Sequence, residues 1–128
     1  MHLPKHEIPV RMAVPGATVR QLSDFGEASA TLGAEYLSLA AGTDIAPLLV
    51  GLEGDLCQSP HWGFLLSGAL AVSFDTGETE HVVGHELFHW PPGHSVRVEE
   101  DAEVILFSPQ DEHLAVIDHM KERLATIS

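Results

Sequence analysis

Only one cysteine, Cys57, occurs among the 128 residues, so no intrachain disulfide can form and the fold has to rest on its core. Cationic residues are scarce: six Lys and Arg stand against nineteen Asp and Glu, a formal net charge of −13. That sign opposes contact with a phosphate backbone or an anionic bilayer surface, so no nucleic acid and no membrane is expected as a partner. Apolar runs long enough to cross a bilayer are missing, and Met1-His2-Leu3-Pro4-Lys5-His6 lacks the apolar stretch of a signal peptide. A reducing cytoplasm is the compartment these absences predict, with Cys57 there a free thiol or a metal ligand. Internal repeats, low-complexity segments and linkers are absent too. What remains is a composition of 45% hydrophobic and 20% charged residues, ordinary for a globular chain, at a length that fits one domain over 1–128 built on one core.

The pattern along the chain is that of short strands. Residues 1–29, punctuated by Pro4, Pro9, Pro15 and Gly16, read as an extended arm ending in one or two short strands. Strand-like runs follow at Tyr36–Ala40 and Ile45–Leu52, separated by Gly42-Thr43-Asp44 and closed by Glu53-Gly54-Asp55. In His61–Phe74 the pair Ser67-Gly68 divides two strands, after which Leu70, Val72 and Phe74 alternate with Ala69, Ala71 and Ser73 as on a half-buried strand. Asp75-Thr76-Gly77-Glu78 reads as a hairpin turn into Thr79–Val83. Leu87–Trp90 runs into Pro91-Pro92-Gly93, and Ser95–Val98 and Val104–Phe107 flank the acidic turn Glu99-Glu100-Asp101. This spacing predicts an all-β sandwich or barrel over about 30–108. Ser108-Pro109-Gln110-Asp111 then offers a capping serine and a proline at the first helical position, which predicts a helix over about 110–126. Its apolar stripe is Leu114, Ile117, Met120, Leu124 and Ile127, suited to covering an outer face of the sheet.

Three stretches, His61-Trp62-Gly63-Phe64-Leu65-Leu66-Ser67-Gly68, the hairpin at 75–78 and Trp90-Pro91-Pro92-Gly93-His94, resemble the cupin superfamily across roughly 30–108. The resemblance implies a double-stranded β-helix, or jelly-roll, barrel with a C-terminal helix. It also implies a homodimer and, where the ligands are kept, one metal ion held inside by three histidines and a glutamate. Aligned on Gly68, His61 takes the glutamate position, and Asp55 and Cys57 take the two histidine positions. Aligned on Pro91 and Gly93, Val96 falls where the last histidine belongs, with His94 two residues earlier, and His85 stands where a glycine opens the second motif. Positions 55, 57 and 61 share parity, so a continuous strand would present them on one face. Thiolate and imidazole suit zinc first, with Fe(II), Ni(II) or copper as alternatives, whereas Mg²⁺ and Ca²⁺ prefer oxygen. Cys57, His61 and His94 make the expected three-ligand site, and Asp55 is a candidate fourth ligand or an acceptor for an imidazole N–H. The competing reading makes Cys57 a small buried hydrophobe and His61 a core histidine without metal.

A second motif, His85-Glu86-Leu87-Phe88-His89, matches the H-E-x-x-H zinc-protease signature. That signature needs a helix to bring its imidazoles together, and here Val82-Val83 favours a strand while Pro91-Pro92 ends the run. On a strand the two histidines would stand about 13 Å apart, too far to share an ion. His89 is expected in the barrel wall, partly open to the pocket, and His2, His6, His81, His113 and His119 are expected at the surface. Glu53, Asp55 and Glu86 are the only candidate acids or bases. The function these features support is a mononuclear metal barrel that binds or transforms a small polar molecule, dioxygenase-, decarboxylase- or isomerase-like if it is catalytic. The alternatives are a non-catalytic sensor module and a metal-free ligand-binding barrel.

Overall fold

The computed structural model describes residues 1–127, the last of them as backbone only. Seven strands form one antiparallel sheet: β1 (Val10–Val14), β2 (Ala17–Leu22), β3 (Leu32–Leu39), β4 (His61–Phe74), β5 (Thr79–Val83), β6 (Glu86–Trp90) and β7 (His94–Pro109). Their order is β1-β2-β3-β7-β4-β5, with β6 also paired to β4. Strands β5 and β6 lie end to end along β4, β5 on Ala69–Ser73 and β6 on His61–Leu65. The β3–β4 connection crosses back to β7 through bridges Asp44↔Arg97 and Cys57↔His94. The architecture is an all-β jelly-roll barrel with a C-terminal helix.

The two breaks expected at Ser67-Gly68 and Glu99-Glu100-Asp101 are not turns. Both belong to one irregularity in a continuous β4–β7 pair, whose register shifts between Leu65 and Leu70. Gly68 makes this possible, because its φ is +91° and a side chain there would collide with the Asp101 carbonyl. The bulge reverses the strand's phase: Leu65 points inward before it, and Leu70 and Val72 point inward after it, all three fully buried. Each such side chain contributes about 1.5–3 kcal/mol through burial. The hairpin after Phe74 forms as its sequence requires, with Gly77 at φ +87°.

The run Ile45–Leu52 is not a strand but the short helix α1 (Ala46–Leu49), followed by a 3₁₀ turn at Glu53–Asp55. Asp44 Oδ1 accepts the Ala46 N–H at 2.9 Å, and Pro47 stands in the first helical turn, where a missing N–H costs nothing. Helix α2 spans Gln110–Ile127. Ser108 and Pro109 end β7 instead of starting this helix, which frees the Ser108 hydroxyl for another partner. The inward stripe of α2 is His113, Val116, Ile117 and Met120, while Leu114 is exposed. It therefore covers the open side of the barrel interior and not an outer face. The side chain of Ile127, the last member of the expected stripe, lies outside the described residues. Among the described residues no helix is long and apolar enough to cross a membrane.

Candidate metal centre

Cys57 lies before β4, His61 opens β4 and His94 opens β7, and all three are buried. Backbone pairing fixes their approach. The Cys57 N–H donates to the His94 carbonyl at 2.8 Å, and the Gly93 N–H donates to the Cys57 carbonyl at 2.7 Å. Gly93, at φ +93°, lets the Pro91-Pro92 turn deliver His94 to this bridge. Between Cys57 and His61 the chain leaves regular pairing at Ser59-Pro60, so Cys57 Sγ comes within 3.7 Å of His61 Nε2. A straight strand would hold the two residues about 13 Å apart.

The donor atoms of Cys57, His61 and His94 all lie within 4.8 Å of one another. A tetrahedral zinc site with Zn–S of about 2.3 Å and Zn–N of about 2.0–2.1 Å needs such atoms roughly 3.3–3.6 Å apart, so small side-chain rotations suffice. The imidazole orientations suit the same purpose. His94 Nδ1 sits 2.9 Å from the Pro91 carbonyl, which can only accept, so Nδ1 carries the proton and Nε2 offers its lone pair. His61 Nδ1 lies 2.5 Å from Ser108 Oγ, the contact that the end of β7 provides. Second partners of this kind hold a ligating imidazole in one tautomer.

Burial dominates the electrostatics. It pushes the His61 pKa well below the usual 6.5, with His113 and His94 adding to the effect, so His61 is neutral. It lowers His94 as well, against the raising influence of the Pro91 carbonyl. Burial raises the Cys57 thiol to about 11, opposed by a backbone hydrogen bond with Ser59 and reinforced by Glu35. Two neutral imidazoles and a thiol are the unliganded form of a soft-metal site.

Asp55 is outside this cluster. It is exposed in the 3₁₀ turn with φ +57°, and its Oδ1 accepts the Gly51 N–H at 2.9 Å. Parity failed there because residues 53–60 are not one strand. Glu53 and Glu86 are exposed as well. The buried carboxylate is Glu35 on β3, in contact with His113 Nε2 from α2. The His113 ring packs edge-on against His61 with centroids 4.8 Å apart. Glu35 did not stand out in the sequence, and His113, expected at the surface, is buried. Strand β3 begins four residues before the expected Tyr36, which hid the fact that Glu35 occupies the same phase as Leu37 and Leu39. Likewise His113 continues the 117–120–124 stripe backward by one turn. His89 is exposed and stacks on Trp62 at 5.0 Å, outside the barrel instead of in its pocket wall. His85 has φ +73° and Glu86–Trp90 is a strand, so H-E-x-x-H has no helix on which to act.

The cluster opens into a cavity of about 140 Å³ between the inner sheet face and the two helices. Trp90 borders it, buried and stacked on Phe88, with no hydrogen-bond partner for its indole N–H among the described residues.

No protein-family model matches the chain, and no curated protein matches it by sequence. Solved structures do. The polyketide cyclase RemF from Streptomyces resistomycificus superposes with a TM-score of 0.61 at 15% identity, covering 86% of this chain and 79% of its own. An RmlC-like cupin from Shewanella frigidimarina gives 0.59 at 16%, covering 88% and 93%. A variant of the salicylate 1,2-dioxygenase from Pseudoaminobacter salicylatoxidans gives 0.57 at 22%, covering 87% of this chain and 31% of that one. With the strand order, the Gly93 turn and the inward-facing His61 and His94 already in place, these superpositions establish that the chain has the fold of the cupin superfamily.

Proposed function

We propose that Cys57, His61 and His94 hold one transition-metal ion, zinc first among the candidates, and that the barrel binds or transforms a small molecule presenting a polar group to it. The observation that carries this reading is the convergence of one thiol and two imidazoles within 4.8 Å at the wall of a cavity inside the barrel. With Asp55 turned away, the protein supplies three ligands, the number found where a coordination position stays open for water or substrate. Cys57, His61 and His94 would hold an ion whose open position would supply Lewis-acid chemistry toward a bound oxygen or water. The chain's own residues do the rest: Pro91 and Ser108 hold the imidazoles, and α2 shields the site from bulk water. This favours a dioxygenase-, decarboxylase- or isomerase-like role over a sensor module, which would call for a closed sphere. We also propose a homodimer, supported by Trp62 and Leu87 on the outer β4–β6 face, 45% and 83% exposed.

Elemental analysis of untagged protein tests the centre. Cys57→Ala and His61→Ala should each reduce bound metal sharply, His94→Ala should reduce it too, and His81→Ala should leave it unchanged. Full occupancy in the Cys57→Ala, His61→Ala double variant would place any ion elsewhere and favour the metal-free ligand-binding barrel.

A further inference from the structure

The cavity is divided along its length. Strand β3 contributes Glu35, Leu37 and Leu39 in two-residue steps of roughly 6.6 Å, so its lining changes from charged to aliphatic over about 13 Å. Neighbouring strands repeat the division. Leu37 faces Val19 and Val104 across the sheet, and Leu39 faces Ala17 and Ala102. At the other end Glu35 and His113 meet beside His61, with Trp90 and His94 completing the wall. Polar groups at the aliphatic end are already engaged: Thr43 Oγ1 donates to the Gly16 carbonyl at 3.2 Å, and Asp44 holds the Ala46 N–H. The unengaged capacity lies at the charged end. There the Trp90 indole N–H has no partner among the described residues, and the Glu35 carboxylate has more acceptor sites than one imidazole fills.

We infer that this cavity takes a molecule with an apolar body about the size of one six-membered carbon ring, carrying a single hydroxyl toward the charged end, where Glu35 and Trp90 line the wall beside the ligand cluster. This rests on the reading of the barrel as a ligand site and adds its substrate class. Size follows from volume, because an apolar cavity of about 150 Å³ accommodates benzene. The hydroxyl follows from the pairing requirement. A hydroxyl can both donate and accept there, whereas a carboxylate head can only accept and would set a second carboxylate against that of Glu35. A polyol fails at the other end, where Leu37, Leu39, Val19 and Val104 offer its hydroxyls nothing.

Isothermal titration of the untagged full chain with phenol, benzoate and glycerol tests the inference, on protein as purified and after stripping with a chelator, with metal content measured on each. Phenol should bind both forms with a Kd at least about tenfold below those of benzoate and glycerol. Ala17→Leu, which fills the aliphatic end away from the ligands, should weaken phenol binding by about tenfold or more and leave metal content unchanged. Leu37→Phe serves as a second block should Ala17→Leu fold poorly by circular dichroism. Glycerol or benzoate binding as tightly as phenol, or phenol binding unaffected by both blocks, would overturn the inference. Phenol binding to a protein that never carries metal would sink the metal centre and support the pocket; metal without phenol binding would do the reverse.

Discussion

Replacing Ser108 with Ala isolates the least visible part of the centre. Ser108 Oγ and His61 Nδ1 are 2.5 Å apart, and both residues are almost wholly buried, at 1% and 4% exposure. Removing the hydroxyl leaves His61 Nδ1 without this partner where water does not reach. Such an orphaned group costs about 1–3 kcal/mol, and loss of the orienting bond to a metal-ligating imidazole costs about 10–100-fold in metal affinity. The volume removed is one oxygen atom, so packing adds little. Urea unfolding of the chelator-stripped variant should show the stability loss, and competition against a chromophoric chelator should show the affinity loss. Ser108→Thr keeps the hydroxyl and should recover most of the affinity, which a merely structural role would not require. Affinity within about twofold of wild type and stability within about 0.5 kcal/mol in Ser108→Ala would refute the idea that this bond orients His61.

Stability of the metal-free protein should fall on both sides of neutrality. His61 and His94 have folded pKa values below 6.5, so the unfolded chain protonates first and stability declines as pH drops below about 6.5. Cys57 is raised from 9.0 to about 11, so the unfolded thiol ionises first and about 2–3 kcal/mol is lost as pH climbs through that window. Denaturant midpoints measured from pH 5 to 11 check both limbs, and Cys57→Ala should flatten the alkaline one. Leu87→Lys should shift the expected dimer toward monomer in light scattering, since it sets a charge on the most exposed apolar side chain of the β4–β6 face. Glu86→Gln should change nothing in a peptidase assay, because the wild type should show no metal-dependent cleavage from a motif lying on a strand.

The all-β character, the hairpin at Gly77, the inward set Leu65, Leu70 and Val72, and the C-terminal helix were all written locally. Period-two alternation, turn glycines and a three- and four-residue stripe are short-range signals that a linear reading can use. The trio Cys57, His61 and His94 came from motif spacing, although its geometric justification by shared parity did not survive: Asp55 has the same parity and points away. Tertiary structure decided what depends on distant partners. Whether Ser67-Gly68 turns or bulges depends on Asp101, more than thirty residues later, and whether Ile45–Leu52 extends or coils depends on its packing against Val116 and Met120 of α2. Ser108 has the chemistry of a helix cap and serves His61 instead, because β7 runs on through Ser108 and Pro109, the two residues expected to open the helix. Glu35 and His113 are 78 positions apart in the chain and in contact in the fold. A buried charge is sustained only by the partner that folding brings to it, and neither residue's local sequence says which partner that will be.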